Sequence, residues 1–180
     1  MTIPWARVEP RNNTTQIDSF SSGEPIIDDW FHQKSAQEHT NKRVITHVCV
    51  DDIGQMVGFF SHTAVVCKFD EESNSLRKTY CSRDEFEAPA ILLAKMGLAT
   101  RLQGQKHGRR LCLQALGKIS QIAAEAGVRL LVVDALNDAL VPFYRSVGFR
   151  SLNAQPTRLV MKASNAAKLS SRAKDADEIL

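Results

Sequence analysis

Between Arg101 and Gly108 the chain reads Arg-Leu-Gln-Gly-Gln-Lys-His-Gly, and Arg109 and Arg110 follow at once. Residues 101–110 hold four cations and no acid. A diphosphate needs several N–H donors aimed at one place, and the N-terminus of a helix supplies them with a favourable dipole. Glycines at 104 and 108 let the backbone approach such a ligand, where a β-carbon would collide with it. The turn is not a Walker A loop, because no Gly-Lys-Ser/Thr closes it, and it is not GxGxxG. By itself it is equally a strand-to-helix turn whose glycines serve geometry alone. A second group with chemistry follows downstream. Tyr144 is one of two tyrosines, and a phenol near pKa ~10 can hand a proton to a departing base without ionising first. The competing reading is a half-buried ring packed between Phe143 and Phe149.

The elements that must position these groups are legible from periodicity. Residues 90–99 read as a buried strand leading into the turn. Residues 107–126 place Leu111, Cys112, Ala115, Leu116, Ile119, Ile122 and Ala123 on one helical face, and Gly127 stops that helix. Residues 128–135 are almost wholly apolar, as in a strand covered on both faces. A short helix is predicted at about 139–147, with Pro142 inside it, and a last strand at 158–162. Upstream, residues 24–42 form an amphipathic helix with Pro25 in its first turn. Residues 44–50 and 56–67 form a hairpin around Asp51-Asp52-Ile53-Gly54. Residues 1–15 are irregular, with Asn12-Asn13-Thr14-Thr15 as a breaker, and an early strand is expected near residues 16–20. Residues 68–89 lack a period and read as an exposed excursion. Residues 163–180 form a polar tail, helical or disordered. This interleaving predicts an α+β fold, one domain over 16–162 with a mixed central sheet flanked by helices.

Composition narrows the function classes. The net charge of +3 is too small to argue for nucleic acid without a local cluster. Cys49, Cys67, Cys81 and Cys112 have irregular gaps and no CxxC pair, so neither a zinc site nor a disulfide framework is expected. No apolar run nears the ~20 residues that cross a bilayer, and no signal-like leader opens the chain. The expected compartment is the cytoplasm, with no membrane association and no metal.

Taken in order, the strand, the turn, the helix, the second strand, Asn137 and Phe143-Tyr144…Gly148-Phe149 resemble the acetyl-CoA site of the GNAT N-acetyltransferases. The family's turn is arginine or glutamine, two residues, glycine, one residue, then glycine or alanine. Arg101 and Gly104 match it, and Lys106 stands where the family carries the small residue. Leu140 likewise stands where alanine is usual. The resemblance implies an acetyl-CoA site formed by Gly97, Leu98, Ala99, Gln103, Gly104, Gln105, Lys106, His107, Gly108, Arg109 and Asn137. It also implies that Tyr144 protonates the departing thiolate. Backbone N–H groups around Gly97-Leu98-Ala99 would polarise the acetyl carbonyl and pair with pantetheine. No general base is evident; His62, Glu85 and Glu87 titrate but read as surface or structural residues.

A narrower likeness covers roughly residues 16–162. Phe20-x-x-Gly23, Ile27-Asp28-x-Trp30-Phe31, Val57-Gly58-Phe59-Phe60, Pro89-Ala90-Ile91-Leu92-Leu93 and Val132-Val133-Asp134-Ala135-Leu136 are similar to GNAT toxins of bacterial toxin–antitoxin pairs. Those enzymes acetylate the α-amine of aminoacyl-tRNA, and many are dimers restrained by a ribbon-helix-helix antitoxin. The resemblance implies that Lys95, Arg101 and Arg110 meet tRNA phosphates, with Lys95 where the toxins carry arginine. Two alternatives stay open: a GNAT enzyme acting on a small or protein amine, and a CoA-binding module without turnover.

Overall fold

A computed structural model of the chain describes residues 3–12, 16–82 and 84–178, with side chains through residue 175. Most of the breaker expected at 12–15 therefore lies outside the described residues, as do the first and last two residues. Among the described residues seven strands and six α-helices follow in order: β1 (Arg7–Pro10), α1 (Pro25–Gln33), α2 (Ser35–Thr40), β2 (Ile45–Val50), β3 (Met56–Lys68), α3 (Asn74–Tyr80), β4 (Glu87–Leu98), α4 (His107–Glu125), β5 (Leu130–Asp134), α5 (Val141–Val147), β6 (Arg150–Ser151), β7 (Arg158–Lys162) and α6 (Ala163–Glu178). The architecture is α+β with a mixed sheet: β1, β2 and β3 pair antiparallel, β4 pairs with β5 in parallel, and β5, β7 and β6 pair antiparallel.

The residues gather into two compact units. One comprises Met1–Thr63, Ala94–Ala115 and Ala173–Leu180; the other comprises Ala64–Leu93 and Leu116–Arg172. Its strand neighbours run β1-β2-β3-β4 in the first and β4-β5-β7-β6 in the second. The first unit is built on Phe31 and Phe59, both fully buried, with ring centroids 4.4 Å apart and with Phe20 and Trp30 packed around them. The second is built on Phe69, Leu76, Ala90, Leu130, Val132 and Val160.

Three expectations need correction. The helix predicted over 24–42 breaks at Lys34 into α1 and α2. No glycine or proline marks the spot. The break coincides with a tertiary bond, because the buried Ser35 hydroxyl accepts from Arg11 Nε at 2.7 Å and Arg11 also lies over the Phe31 ring. The excursion at 68–89 contains α3, capped by the Ser73 hydroxyl accepting from Leu76 N–H, and it buries Phe69, Leu76 and Cys81. Three apolar anchors among charged neighbours give no period to read. The early strand is not at 16–20, where Gln16 makes only an isolated bridge to Gln55, but at β1, where Arg7–Pro10 pairs with His47–Val50. The tail at 163–180 takes the helical alternative as α6, and Ala163, Ala166 and Ser170 are buried.

Candidate active site

The turn after β4 lies in the first unit, and a relay of hydrogen bonds fixes its base. Asp28 in α1 accepts from the Ser21 hydroxyl at 2.7 Å, the Ser22 amide at 2.8 Å and the Ser22 hydroxyl at 2.6 Å. Partial desolvation works to raise the Asp28 pKa, but these Ser22 and Ser21 bonds outweigh it and hold the carboxyl below its ordinary value. The Ser22 carbonyl then accepts from Gln103 Nε2 at 2.7 Å, and the same nitrogen donates to the Leu98 carbonyl at 2.9 Å. Gln103 N–H is also engaged, with the Thr100 carbonyl at 3.1 Å. Gln103, expected among the cofactor contacts, has thus committed its donors to holding the turn. The sequence shows no pattern linking Asp28 and Ser22 to residue 103, some 75 positions away, so this support was not legible.

Above that base the backbone opens. Gly104 has φ +74° and Lys106 φ +64°, both left-handed. Among the described residues the N–H groups of Gly104, Gln105 and Lys106 have no hydrogen-bond acceptor. The first bond of α4 runs from Arg110 N–H to the Lys106 carbonyl at 3.4 Å, so the amides of His107, Gly108 and Arg109 have no acceptor in their own helix. Consecutive free amides at the head of a 19-residue helix make a cradle for an anion. A β-carbon on Gly104 or Gly108 would meet no protein atom within 4 Å, so their lack of a side chain is not a packing need of the turn. The left-handed backbone at 106 also supplies a physical reason for a small residue there. Lys106 carries its side chain outward into solvent.

The remaining first-unit residues divide. Gln105, Lys106 and Arg109 are exposed at the turn, whereas the His107 ring is buried and its Nδ1 has no hydrogen-bond partner among the described residues. His107 therefore offers the turn its backbone amide and packs its ring inward. Arg101 is paired with Asp51 at 3.4 Å, an exposed contact that a stronger anion can displace. Arg110 is half-buried. Lys95 in β4 holds its ammonium 5.2 Å from the Trp30 ring centroid, a cation–π contact. Of the three backbone amides expected to meet the acyl arm, that of Ala99 already donates to the Val57 carbonyl at 2.8 Å. The Ala99 amide, expected as a donor to the acyl arm, is thus engaged within the protein. Gly97 is required sterically, since a β-carbon there would lie 2.6 Å from the Phe59 ring.

Asn137 and Tyr144 belong to the second unit. Asn137 is exposed just past β5, with its carbonyl accepting from Leu140 N–H at 3.2 Å. Tyr144 is 8% exposed in α5, and its ring stands edge-on to Phe143 at 5.0 Å and to Phe149 at 6.0 Å. Pro142 is tolerated because α5 starts at Val141, so the proline falls in the first turn. Three titratable residues set aside as bases have structural partners. His62 stacks on His47 at 5.5 Å, the Glu85 carboxylate accepts from Ser82 N–H, and Glu87 pairs with Lys68. Among the described residues no group of three His, Cys, Asp or Glu could hold a metal ion.

No family model matches the chain. It is 27% identical over 158 residues to a tRNA-acetylating toxin of Mycobacterium tuberculosis, covering 88% of this chain and 92% of that protein. AtaT complexed with acetyl-methionyl-tRNAfMet matches it with a TM-score of 0.78 at 21% identity, over 91% of this chain and 98% of that one. The chain has the GNAT fold. A Tyr-to-Phe mutant of AtaT bound to acetyl-CoA and the C-terminus of the antitoxin AtaR matches with a TM-score of 0.74 at 20% identity, over 91% and 96% of the two chains. Within that fold, the turn from Gly104 to Arg109 presents the open amides, and Tyr144 is the phenol carried on α5. Among the described residues no helix is long and apolar enough to cross a membrane.

Proposed function

We propose that residues 16–162 form an acetyl-CoA-dependent N-acetyltransferase acting on the α-amine of aminoacyl-tRNA, and that the protein is the toxin of a toxin–antitoxin pair. The observation that carries the substrate is the chain-long likeness to a tRNA-acetylating toxin. The likeness to AtaT with its acetylated tRNA, and with acetyl-CoA and antitoxin, supports the same reading. In this reading the amides of residues 104–109 bind the diphosphate of CoA, with Lys106 and Arg109 adding charge. Gly97 and Leu98 pair with the pantetheine arm, and Asn137 takes part in binding the cofactor.

The reaction joins the amine nitrogen to the acetyl carbon and breaks the carbon–sulfur bond. The departing thiolate takes the phenolic proton of Tyr144, whose pKa class, near ~10, lies close to that of a thiol near ~8.5. The amine loses its own proton to solvent. Lys95, Arg101 and Arg110 contact tRNA phosphates. A ribbon-helix-helix antitoxin, a homodimer and a cytoplasmic location complete the proposal.

The deciding experiment supplies labelled acetyl-CoA together with charged or uncharged tRNA. Label should enter the RNA fraction only when the tRNA is aminoacylated, and should be released with the amino acid on mild deacylation. Label passing to simple amines or protein lysines, with charged tRNA inert, would overturn the substrate assignment.

A further inference from the structure

An open cleft of about 560 Å³ in the second unit belongs to none of the groups above. Arg145, Arg150, Ser151 and Asn153 line it, together with apolar Phe149, Leu152 and Pro156. Both guanidinium groups are exposed, and no acidic residue lines the cleft. Arg145 is already aimed: its Nε and Nη2 donate to the Ser151 hydroxyl at 3.2 and 3.0 Å. The Glu72 carboxylate accepts from the Asn153 and Ala154 amides at 3.0 Å each and so pins the wall. One oriented and one exposed guanidinium in a cleft with no lining acid match an anion that arrives from outside.

The cleft's place in the sheet says which anion. β7 pairs with β5 so that Arg158 faces Asp134, and Ala135 N–H donates to the Thr157 carbonyl at 2.8 Å. Leu152 N–H donates to the Arg158 carbonyl, which brings the 152–157 connection alongside the exit of β5. Asn137 and α5 with Tyr144 begin at that same exit. The cleft therefore flanks the segment that carries the proton donor, and Arg145 directly follows Tyr144 in the chain. Helical spacing turns the two side chains about 100° apart, Tyr144 inward and Arg145 outward.

We infer that the Arg145–Arg150 cleft is a phosphate-binding station for the acceptor strand of the tRNA substrate, holding the nucleic-acid backbone while its 3′ end reaches the thioester. This deepens the aminoacyl-tRNA reading and rests on it. Phosphodiester oxygens suit guanidinium forks, and exposed Pro156 offers a small apolar face to a ribose.

The test is steady-state kinetics of the full chain with Arg145→Gln/Arg150→Gln, with Arg145→Lys/Arg150→Lys as the charge-preserving control. For the glutamine variant KM for aminoacyl-tRNA should rise roughly tenfold, with kcat and the KM for acetyl-CoA unchanged. The slope of log KM against log salt should shrink by about one to two phosphate contacts. The lysine variant should recover most of the salt slope. A rise confined to the acetyl-CoA KM would assign the cleft to CoA phosphate and overturn the inference. Unchanged tRNA kinetics with weakened binding of a polyglutamate peptide would mark a protein-docking surface and overturn it equally. If the wild-type chain acetylates no aminoacyl-tRNA, the parent reading fails; if it does and the glutamine variant matches it, this inference alone fails.

Discussion

The two left-handed residues of the turn allow a mirror-image experiment. Placing an L-residue in that backbone region costs about 1–2 kcal/mol, while removing a glycine restricts the unfolded chain and returns about 0.4–1 kcal/mol. At Gly104 a new β-carbon would meet no protein atom within 4 Å, so Gly104→Ala carries backbone strain without a clash. The net loss should be about 0.5–1 kcal/mol, a fall in Tm of roughly 1–4 °C for a chain of this size. Lys106→Gly removes the same strain at φ +64° and should raise Tm by a similar amount. The double variant should melt close to the wild type. Acetyl-CoA binding should break that symmetry. The β-carbon of Gly104→Ala intrudes on the phosphate cradle and should weaken binding roughly tenfold, about 1.4 kcal/mol. Calorimetric melting and titration of acetyl-CoA read both quantities. If Gly104→Ala lowers Tm as expected but binds acetyl-CoA as tightly as the wild type, the cradle does not hold the diphosphate and the reasoning fails.

Further outcomes follow from the same geometry. Tyr144→Phe keeps the ring between Phe143 and Phe149, so its melting curve should match the wild type while acetyl transfer drops by about 10²–10⁴-fold; a variant within threefold of wild type would remove Tyr144 as the acid. Gly97→Ala forces a β-carbon into the Phe59 ring and should destabilise by about 1–3 kcal/mol, measured by denaturant unfolding. Asp28→Ala removes the anchor of Ser22 and, through it, of Gln103. It should cost about 1–2 kcal/mol at neutral pH and raise the KM for acetyl-CoA. Because the Asp28 pKa is depressed in the fold, the wild type's advantage over that variant should shrink as pH falls through the carboxylate range. Burial pushes the Cys67 thiol up to about 11 and the Cys112 thiol up to about 12. A thiol kept protonated only in the fold favours unfolding once the unfolded chain can ionise. Stability should therefore decline as pH rises above about 8.5, and a thiol reagent at pH 8 should label these two cysteines only after unfolding.

Much of the architecture was present in local pattern. β7 occupies the predicted residues 158–162, and α4 buries the predicted face through Leu111, Cys112, Ala115, Leu116, Ile119 and Ala123. Those elements are regular over many residues, so periodicity alone carries them. The turn was also readable, because glycines and cations between a strand and a helix form a contiguous signal. Local pattern does not carry what is made by partners far apart in the chain: the break at Lys34, the burial of Phe69 and Leu76 in a charged stretch, and β1.

The order of residues fixes which groups this protein offers: a run of backbone amides with cations beside them, a phenol on a short helix, and arginines at 145 and 150. Their types and spacing are covalent facts that folding cannot change. Folding selects which of those groups remain available. It committed Gln103 to Ser22 and Leu98, bound the Ala99 amide to Val57, turned the His107 ring inward and aimed Arg145 by way of Ser151. A hydrogen-bonding group satisfied inside the fold is lost to a ligand, and that satisfaction depends on residues the chain brings back from tens of positions away.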